Sequence, residues 1–482
     1  MEGFYIGVDI GTSSTKGIML DRSGEVISQT SVAHGYSIRS EGWVEQDPKM
    51  YWDDFREVIR RLHVSGRVCA IGITGLSPSI VPVDKEGAPV MNSIIYMDRR
   101  AWKEAEFVEK RFERDELLKI TGNRADPFFG GYKLMWMIKN EQDKYARTWK
   151  VLDPAKYVIF KLTGRAAIDP VTASMYAPYF DINRNAWTGE VFSEGIDKLP
   201  DITDANGIIG HVTGWAATET GLEEGISVIN CSTDATMSAY SCGVTTHGDS
   251  CIIYGSTGLW MTVVDNVKYD DRLVNTRDLT GKSTMISGGV LTFGSLLEWF
   301  SKKVAHKSLR ELDIEASKLQ PEVNEIISLP YFMGERTPVW DIKARGAIIG
   351  ISLVHGRGHL YRSLVESTAF AMRQNIEVAR KIGVEVKEAK TTGGGANSRF
   401  WRQVISDVTG VRQLYLKPNF GAAFGSAFLG AVADGEFDFL DIKKMTIIAE
   451  VTNPRKEMSN IYSRLYRKYL RSYPAVKDIL GD

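Results

Sequence analysis

Two segments of the chain share one pattern, in which a short polar turn separates two apolar runs. In the first segment, apolar runs at 5–10 and 14–21 flank the turn 11–13 (Gly-Thr-Ser). In the second, residues 252–265 carry the turn 255–258 (Gly-Ser-Thr-Gly) between two apolar runs. Each pattern predicts a β-hairpin, because Gly and Ser suit tight turns. Two similar hairpins about 250 residues apart indicate a duplicated fold whose turns face each other across a cleft.

Strand-like and helix-like patterns alternate along the rest of the chain, which predicts an α/β fold. Strands are expected at 68–73, 80–83 and 226–231. Helices are expected from about Thr233 and at 101–114, 130–141, 294–304, 308–319, 358–382, 398–409, 422–434 and 455–472. The last of these is basic and amphipathic, as expected for a helix on a domain surface. The chain has no low-complexity linker, so the domains 1–246 and 247–482 should pack closely across a boundary near 243–249.

The composition narrows the classes of function. A chain of 482 residues suits two or three domains, and its net charge of −1 gives no reason to expect nucleic acid or an anionic membrane as a partner. We expect neither a signal peptide nor a transmembrane segment, because no apolar stretch has the required length and flanking residues. The four cysteines form no CxxC pair, which favours free thiols in a reducing cytoplasm. The seven histidines lack ligand spacing, so we expect no zinc site.

Two acidic residues are candidates for chemistry. Asp9 falls at the end of the first predicted strand, where its carboxylate can face Mg²⁺ while the following turn offers N–H groups and hydroxyls to anionic oxygens. An ordinary hairpin is the alternative for this segment. Asp234 follows a predicted strand and stands at the start of a helix. It could take the proton of a substrate hydroxyl that attacks phosphorus, or it could simply cap the helix.

A glycine-rich segment, 392–398 (Thr-Gly-Gly-Gly-Ala-Asn-Ser), follows an apparent strand and opens a helix. Its glycines would let a flat ring or a phosphate approach the backbone, and the helix N-terminus would add a positive dipole end. A plain loop is the alternative. Two other phosphate motifs are not supported: residues 281–284 (Gly-Lys-Ser-Thr) resemble the end of a Walker A loop but Thr276 replaces its first Gly, and no G-x-G-x-x-G follows a first strand.

Taken together, these segments resemble the FGGY carbohydrate kinases of the actin-like ATPase superfamily, and the resemblance spans nearly the whole chain. Residues 346–366 match the C-terminal signature of that family throughout. The N-terminal signature is met by Phe128 and by several residues between 133 and 140, but Gly130 stands where the family usually has Pro, Ser or Thr. Other stretches similar to the family are 42–48, 220–222 and 334–338.

The resemblance implies two actin-like (ribonuclease H-like) lobes around a deep cleft, with ATP on the C-terminal lobe and the sugar mainly on the N-terminal lobe. It also implies that Asp9 faces Mg²⁺ and that Asp234 is the catalytic base rather than a helix cap. The residues that it implies in binding ATP and its metal are Asp9, Gly11, Thr12, Ser13, Thr257, Gly258, Gly294, Gly394, Gly395 and Asn397. Lys16 either steadies phosphate charge or faces solvent from its strand.

The sugar site is where the sequence departs from the family. Xylulose kinases carry Gln, Met and His after the strand, and glycerol kinases carry Gln, Arg and Glu, whereas residues 75–79 here read Gly-Leu-Ser-Pro-Ser. Replacing these polar side chains should change the substrate that the site selects. Residues expected to bind the substrate are Ser77, Pro78, Ser79, Asp98, Arg100, Phe128 and Asp234. Arg100 meets either a polar substrate group or an internal carboxylate.

Xylulose is the leading substrate, because Asp98 and Arg100 share the Asp-x-Arg arrangement of that branch. Erythritol or another polyol such as glycerol, ribulose, fuculose and gluconate remain open. The leading function is therefore a cytoplasmic ATP- and Mg²⁺-dependent sugar or polyol kinase, for which the family makes a homodimer plausible. A non-catalytic sugar or nucleotide sensor would account for the altered loop but not for both phosphate loops and Asp234. An actin-like ATPase or chaperone is disfavoured by the signature at 346–366.

Overall fold

The computed structural model of the chain describes residues 3–40, 42–64, 66–321 and 325–480. Strands in the first half are β1 (Gly3–Ile10), β2 (Ser14–Asp21), β3 (Val26–Ala33), β4 (Ser37–Ser40), β5 (Trp43–Gln46), β6 (Arg67–Gly75), β7 (Val81–Val83), β8 (Ser93–Ile94), β9 (Lys150–Leu152), β10 (Ala167–Ile168), β11 (Phe180–Asp181), β12 (Ala186–Trp187), β13 (Asp201–Ile202), β14 (Ile208–His211) and β15 (Ser227–Ile229). Strands in the second half are β16 (Ser250–Tyr254), β17 (Gly258–Val264), β18 (Val274–Arg277), β19 (Thr284–Val290), β20 (Ile327–Leu329), β21 (Ala347–Ile349), β22 (Glu388–Thr392), β23 (Arg412–Leu416) and β24 (Ile448–Thr452).

Helices connect these strands in both halves. They are α1 (Pro48–Arg61), α2 (Trp102–Glu109), α3 (Arg114–Thr121), α4 (Gly130–Asn140), α5 (Gln142–Arg147), α6 (Pro154–Thr163), α7 (Pro170–Ser174), α8 (Gly214–Thr220), α9 (Asp234–Ser241), α10 (Gly294–Trp299), α11 (Leu309–Ser317), α12 (Arg357–Lys381), α13 (Arg399–Thr409), α14 (Gly421–Ala433) and α15 (Met458–Leu480). Within the described ranges, every helix falls short of the length or the apolar character that crossing a bilayer requires.

Two large sheets form the centres of two lobes. The first has the strand order β14-β15-β6-β1-β2-β3, and the second has the order β18-β19-β17-β16-β22-β23-β24. In each sheet an antiparallel meander (β1-β2-β3 or β16-β17-β19) continues into two parallel strands (β6 and β15, or β22 and β23) and then into an antiparallel edge strand. Apart from the additional edge strand β18 of the second sheet, strand order and direction agree between the sheets, and the predicted duplication and the α/β, actin-like fold class are confirmed.

Helices α1 and α6 cover one face of the first sheet. Asp47 caps α1 by accepting the Lys49 amide (3.0 Å), and Pro48 stands at the first helical position, where its missing N–H costs nothing. The apolar side of α1 buries Phe55 and Val58 in a cluster with the strands. This packing holds the start of β2, and with it the turn after β1, in a fixed place.

Helix α14 covers the opposite face of the first sheet, although it belongs to the second half of the chain. Its backbone lies directly on β1, because Gly7 has no side chain there; a Cβ on Gly7 would overlap the carbonyl of Ala423. Conversely, α9 from the first half packs on β16, with Cys242 and Cys251 in one buried cluster. Helices α9 and α14 also contact each other. The two halves are therefore interlocked rather than simply adjacent.

Most of the predicted helices and strands are present. Helices α12, α13 and α14 begin and end within one residue of the predicted bounds. The single helix predicted at 101–114 is wrong, because Glu113 has an extended backbone (ψ 140°) and separates α2 from α3. The helix expected at 455–472 corresponds to α15, which starts at Met458 and buries Tyr462 and Tyr469 in the second lobe. Helices α1 and α6 and strand β3 had no counterpart in the prediction.

Candidate active site

The first predicted phosphate loop, residues 11–13, joins β1 to β2 at the cleft between the lobes. The Gly11 amide donates to the Ser14 carbonyl (3.0 Å), which closes the turn. Thr12 and Ser13 line the cleft, and their amides make no hydrogen bond to any described residue. Free amide groups at the mouth of a turn form an anion-binding concavity. The structure thus gives this loop the donors that a phosphate group requires.

Asp9 carries its carboxylate to the same place. Its Oδ1 is buried and has no hydrogen-bond partner among the described residues. Lys16 pairs with Asp9 across the hairpin, so the two side chains project from the same face of the sheet. Burial raises the pKa of Asp9, while the Lys16 ammonium acts in the opposite direction. An unpartnered carboxylate oxygen fits Mg²⁺, which proteins bind through one or two carboxylates together with phosphate and water oxygens.

Asp234 lies at the first position of α9 and faces the same cleft. The cap of this helix is Thr233, whose Oγ1 accepts the Thr236 amide (3.3 Å). Asp234 accepts the Ala235 amide through Oδ1 (2.7 Å). Burial, and then the negative charge of Asp9, raises the pKa of Asp234. The alternative role of helix cap therefore belongs to Thr233, and Asp234 is left with an oxygen for chemistry.

Buried groups fix the segment that leads into Asp234. The Thr74 hydroxyl donates to the Ser232 carbonyl (2.5 Å), and the Lys156 ammonium donates to the Cys231 carbonyl. Lys156 is fully buried and pairs with Asp169 (3.0 Å), which compensates its charge. These contacts hold the backbone before α9 against β6 and α6. They explain how a short connection can place one carboxylate reproducibly in the cleft.

The second predicted loop joins β16 to β17 on the other side of the cleft. Ser256 and Thr257 line the cleft, whereas Gly258 packs under the ring of Phe293 and does not. The start of α10 is hydrogen-bonded to this loop, since the Gly294 amide donates to the Gly255 carbonyl (3.1 Å). The carbonyls of the loop are thereby held towards α10.

The glycine-rich segment forms a short 3₁₀ turn before α13. Gly393 has φ +93°, and its missing Cβ leaves room for the Tyr254 backbone. Among the described residues, none but the chain neighbours lies within 4 Å of a Cβ placed on Gly394, so this glycine faces the cavity. Asn397 donates to the Gly394 carbonyl (2.9 Å) and accepts from the Tyr415 hydroxyl (2.6 Å), which locks the turn. Gly395 packs against the Trp401 ring and lines the side cavity described next.

Two cavities meet at these loops. The main cleft has a volume of about 1070 Å³ and contains Asp9, Asp234 and both hairpin turns. A side cavity of about 1310 Å³ lies between α11, α13 and the glycine-rich turn, and Gly294 and Gly395 line it. The residues common to both cavities are Gly255, Ser256, Gly394 and Asn397. A molecule with a flat base in the side cavity could extend a charged chain past these residues towards Asp9.

The far end of the main cleft combines apolar and polar groups from both lobes. Ser77, Tyr96 and Phe128 come from the first lobe, and Arg336 reaches in from the second. The Arg336 guanidinium lies 4.3 Å from the Phe128 ring centroid and makes no hydrogen bond within the described part of the chain. Burial and the charge of Arg99 lower the pKa of Arg336 to about 10. The sequence singled out the stretch 334–338 but gave Arg336 no role.

Several residues expected at the sugar site lie elsewhere. Pro78 and Ser79 are buried outside the cleft lining. Arg100 is buried, pairs with Asp98 (2.7 Å) and Glu45 (2.9 Å), and does not line the cleft. The Val44 amide donates to Asp98 (2.6 Å), which leaves this carboxylate engaged as well. Of the two alternatives for Arg100, the structure has the internal carboxylate.

Comparison with known proteins adds a family relationship. The model of the N-terminal domain of the FGGY family of carbohydrate kinases matches residues 4–241, and the model of its C-terminal domain matches residues 251–433. A xylulose kinase from Bacillus subtilis (strain 168) is 28% identical over 489 residues, covering 99% of this chain and 98% of the relative. A glycerol kinase from Thermococcus gammatolerans is 29% identical, with 94% of both chains covered. The solved structure of a xylulose kinase from Rhodospirillum rubrum, 28% identical, aligns with a TM-score of 0.88 over 99% of this chain and 100% of its own.

Proposed function

Because this chain belongs to the FGGY family of carbohydrate kinases, which are ATP-dependent sugar phosphotransferases, we propose that it transfers the γ-phosphate of ATP to a hydroxyl of a pentulose such as xylulose. The observation that carries the proposal is the meeting of Asp9 and Asp234 in one cleft, between two loops with phosphate-binding character. Relatives described as xylulose kinases over nearly the full length support this substrate. Because a glycerol kinase is 29% identical to this chain, a polyol is the second candidate substrate.

The side cavity is the proposed place of the adenine base, with the phosphates extending past Gly394 into the main cleft. There the free amides of Thr12 and Ser13, together with Ser256 and Thr257, would hold the terminal phosphates. Mg²⁺ is proposed at the unpartnered oxygen of Asp9. When bound, this ion neutralises charge on the phosphates, which is a main requirement of phosphoryl transfer. Lys16, paired with Asp9, adds a further positive charge at the same place.

Asp234 is the proposed general base. The oxygen of the sugar hydroxyl forms a bond to the γ-phosphorus, the bond from that phosphorus to the bridging oxygen of ADP breaks, and the hydroxyl proton passes to Asp234. Burial and the nearby charge of Asp9 make Asp234 a better proton acceptor than an exposed aspartate. The carboxylate needs no large basicity, because positioning and charge neutralisation supply most of the acceleration.

At the sugar end, Phe128 and Arg336 are the proposed walls of the site. A planar guanidinium with free N–H groups can donate two parallel hydrogen bonds to neighbouring substrate oxygens. Ser77 offers a hydroxyl from the altered loop. We also infer a cytoplasmic location, since ATP is the phosphate donor and the four cysteines are all free.

The first test is release of ADP, measured by a coupled assay with Mg²⁺ and ATP against ketoses, polyols and aldonates. We expect one strong responder among the pentuloses. Asp234→Asn should then lower kcat by about 10²–10⁴, the usual contribution of a general base, while calorimetry shows unchanged ATP binding. Asp265→Asn, which changes an exposed aspartate paired with His247, is the matched control and should retain full activity. Normal turnover in Asp234→Asn would reject the assignment of the base.

A further inference from the structure

A set of buried side chains behind the first phosphate loop grips its backbone from outside the cleft. The His34 ring donates through Nε2 to the Gly11 carbonyl (2.8 Å), and the His34 amide donates to the Ser13 carbonyl (3.0 Å). Gln46 donates through Nε2 to the Thr12 carbonyl (2.9 Å). Every carbonyl of the turn 11–13 is therefore bound on the side away from the cleft. We call His34, Gln46 and Asp54 the loop brace.

The central contact of the loop brace joins the His34 ring to the Asp54 carboxylate. Nδ1 of His34 lies 2.6 Å from Oδ2 of Asp54, and the exposed fractions of the two side chains are only 4% and 12%. Thr15 also donates to this carboxylate oxygen (3.2 Å). Since a carboxylate and a peptide carbonyl are both acceptors, the two contacts of the ring are satisfied together when both nitrogens carry hydrogen. The His34 ring thus bridges the Asp54 carboxylate and the backbone of the loop.

The remaining contacts anchor the loop brace to the lobe. Asp54 lies on α1, and Gln46 is the last residue of β5. The Tyr51 hydroxyl donates to Oε1 of Gln46 (2.9 Å), so the amide of Gln46 has a fixed orientation with its NH₂ towards the loop. Gln46 also donates to the Gly35 carbonyl (3.1 Å). Because Gln46 is hydrogen-bonded through both Oε1 and Nε2, the Thr12 carbonyl that it binds has little freedom to rotate.

The hydrogen bonds to the carbonyls of the turn also orient the amide groups that face the cleft. The Gly11 carbonyl and the Thr12 amide belong to one peptide group, and the Thr12 carbonyl and the Ser13 amide belong to the next. Binding the oxygen of a planar peptide on one side directs its N–H to the other side, and it polarises that N–H. The two amides that this orients are the two that make no hydrogen bond to a described residue.

We propose that the loop brace positions the amide groups of Thr12 and Ser13 for the terminal phosphates of ATP, with His34 and Asp54 as positioning residues. The inference rests on the proposed function in taking the turn 11–13 as a phosphate site. It adds residues that contact neither substrate. Because the brace orients donors for the terminal phosphates alone, its loss affects ATP and leaves binding of AMP and of the sugar as they were.

The test compares ATP and AMP binding by calorimetry in the full-length protein with Mg²⁺. His34→Leu and Asp54→Asn should each raise the dissociation constant for ATP at least about tenfold, in line with loss of a charged hydrogen bond. AMP binding and the KM of the sugar should stay within twofold. His34→Gln places an amide donor near Nε2 and should restore most of the ATP affinity. Tyr469→Phe, which removes a buried hydrogen bond to Tyr331 in the other lobe, is the control for lost stability.

The outcomes separate this inference from the proposed function. If ATP and AMP weaken equally, or if only the melting temperature falls as in Tyr469→Phe, the positioning role is rejected. If His34→Gln binds ATP no better than His34→Leu, the hydrogen bond to the Gly11 carbonyl is not what matters and the inference fails. If no sugar is phosphorylated but ATP binding still depends on His34 as predicted, the inference stands and the proposed function alone is wrong.

Discussion

At the scale of single residues, Glu335 is a buried acid whose protonation affects the stability of the fold. Its Oε1 accepts the amides of Leu291 (3.0 Å) and Arg336 (2.8 Å), whereas Oε2 is buried with no partner in the described ranges. Burial raises the pKa of Glu335 to about 8, against the weaker opposite effect of these hydrogen bonds. The folded protein thus keeps a proton on this carboxyl at pH values where the unfolded chain, with an ordinary pKa of 4.5, has released it.

This difference predicts how stability depends on pH. Since the native state binds the extra proton, the contribution of Glu335 to the free energy of unfolding decreases as the pH rises from about 4.5 to about 8. Glu335→Gln keeps the acceptor oxygen and removes the titration. Urea unfolding at pH 5 and pH 8 should therefore show a smaller loss of stability in the variant, by up to about 4 kcal/mol. Glu388→Gln, on a surface pair with Arg412, is the control; equal pH slopes in Glu335→Gln and wild type would contradict the prediction.

The sequence pointed to those candidate site residues that a local pattern marks. Asp9 lies near the end of β1 just before a turn, and Asp234 begins the helix that follows β15, so the local pattern of the chain marks both. Arg336 and His34 were missed because their partners lie far away in sequence: Arg336 meets Phe128 across the cleft, and His34 meets Asp54 on α1. Asp98 and Arg100 had the residue types of a sugar site, but their charges compensate each other internally. The type of a charged residue does not by itself show whether its side chain pairs with a substrate or with another residue of the protein.

At the scale of elements, the close packing of α14 on β1 requires a glycine at position 7. A Cβ on Gly7 would overlap the Ala423 carbonyl and come within 2.6 Å of the Ala427 amide nitrogen. Backbone atoms cannot move aside as a flexible side chain can, so Gly7→Ala must push α14 off the sheet. We expect a loss of about 2–4 kcal/mol in the free energy of unfolding, measured with denaturant.

The matched control is Gly35→Ala. Apart from its chain neighbours, no atom of a described residue lies within 4 Å of a Cβ placed on Gly35, and its backbone conformation is open to other residues. This change should leave stability within about 0.5 kcal/mol of wild type. If Gly7→Ala were as stable as Gly35→Ala, the helix would have to be packed less tightly on β1 than the structure has it.

The predicted elements differ in accuracy for a physical reason. Helix α12 is amphipathic over 25 residues, and α14 is a continuous run of apolar and small residues, so the bounds of both follow from the sequence. The break between α2 and α3 lies in a charged stretch, 109–114, where no Gly or Pro marks it. Helix α1 carried the signals Asp47 and Pro48, which the prediction did not use.

For the whole molecule, the exchange of helices between the halves links their stabilities. The first sheet is covered by α14 from the second half, and the second sheet is in contact with α9 from the first half. Loss of either lobe would expose an apolar face of the other, so we expect scanning calorimetry of the full chain to give a single transition, with equal calorimetric and van't Hoff enthalpies. Two separate transitions would show that the lobes unfold independently.

The crossed helices also limit how this protein can be recombined with a relative. A chimera joined at 243–249 would cover β1 with a foreign α14, in an interface built from backbone against backbone at Gly7. Side chains such as Phe428 and Ile18 pack around this contact, but at Gly7 itself there is no side chain that later mutation could adjust. A working hybrid would have to carry α14 along with the first sheet and α9 along with the second. The exchangeable unit of this protein is therefore discontinuous in sequence, although its family domains are not.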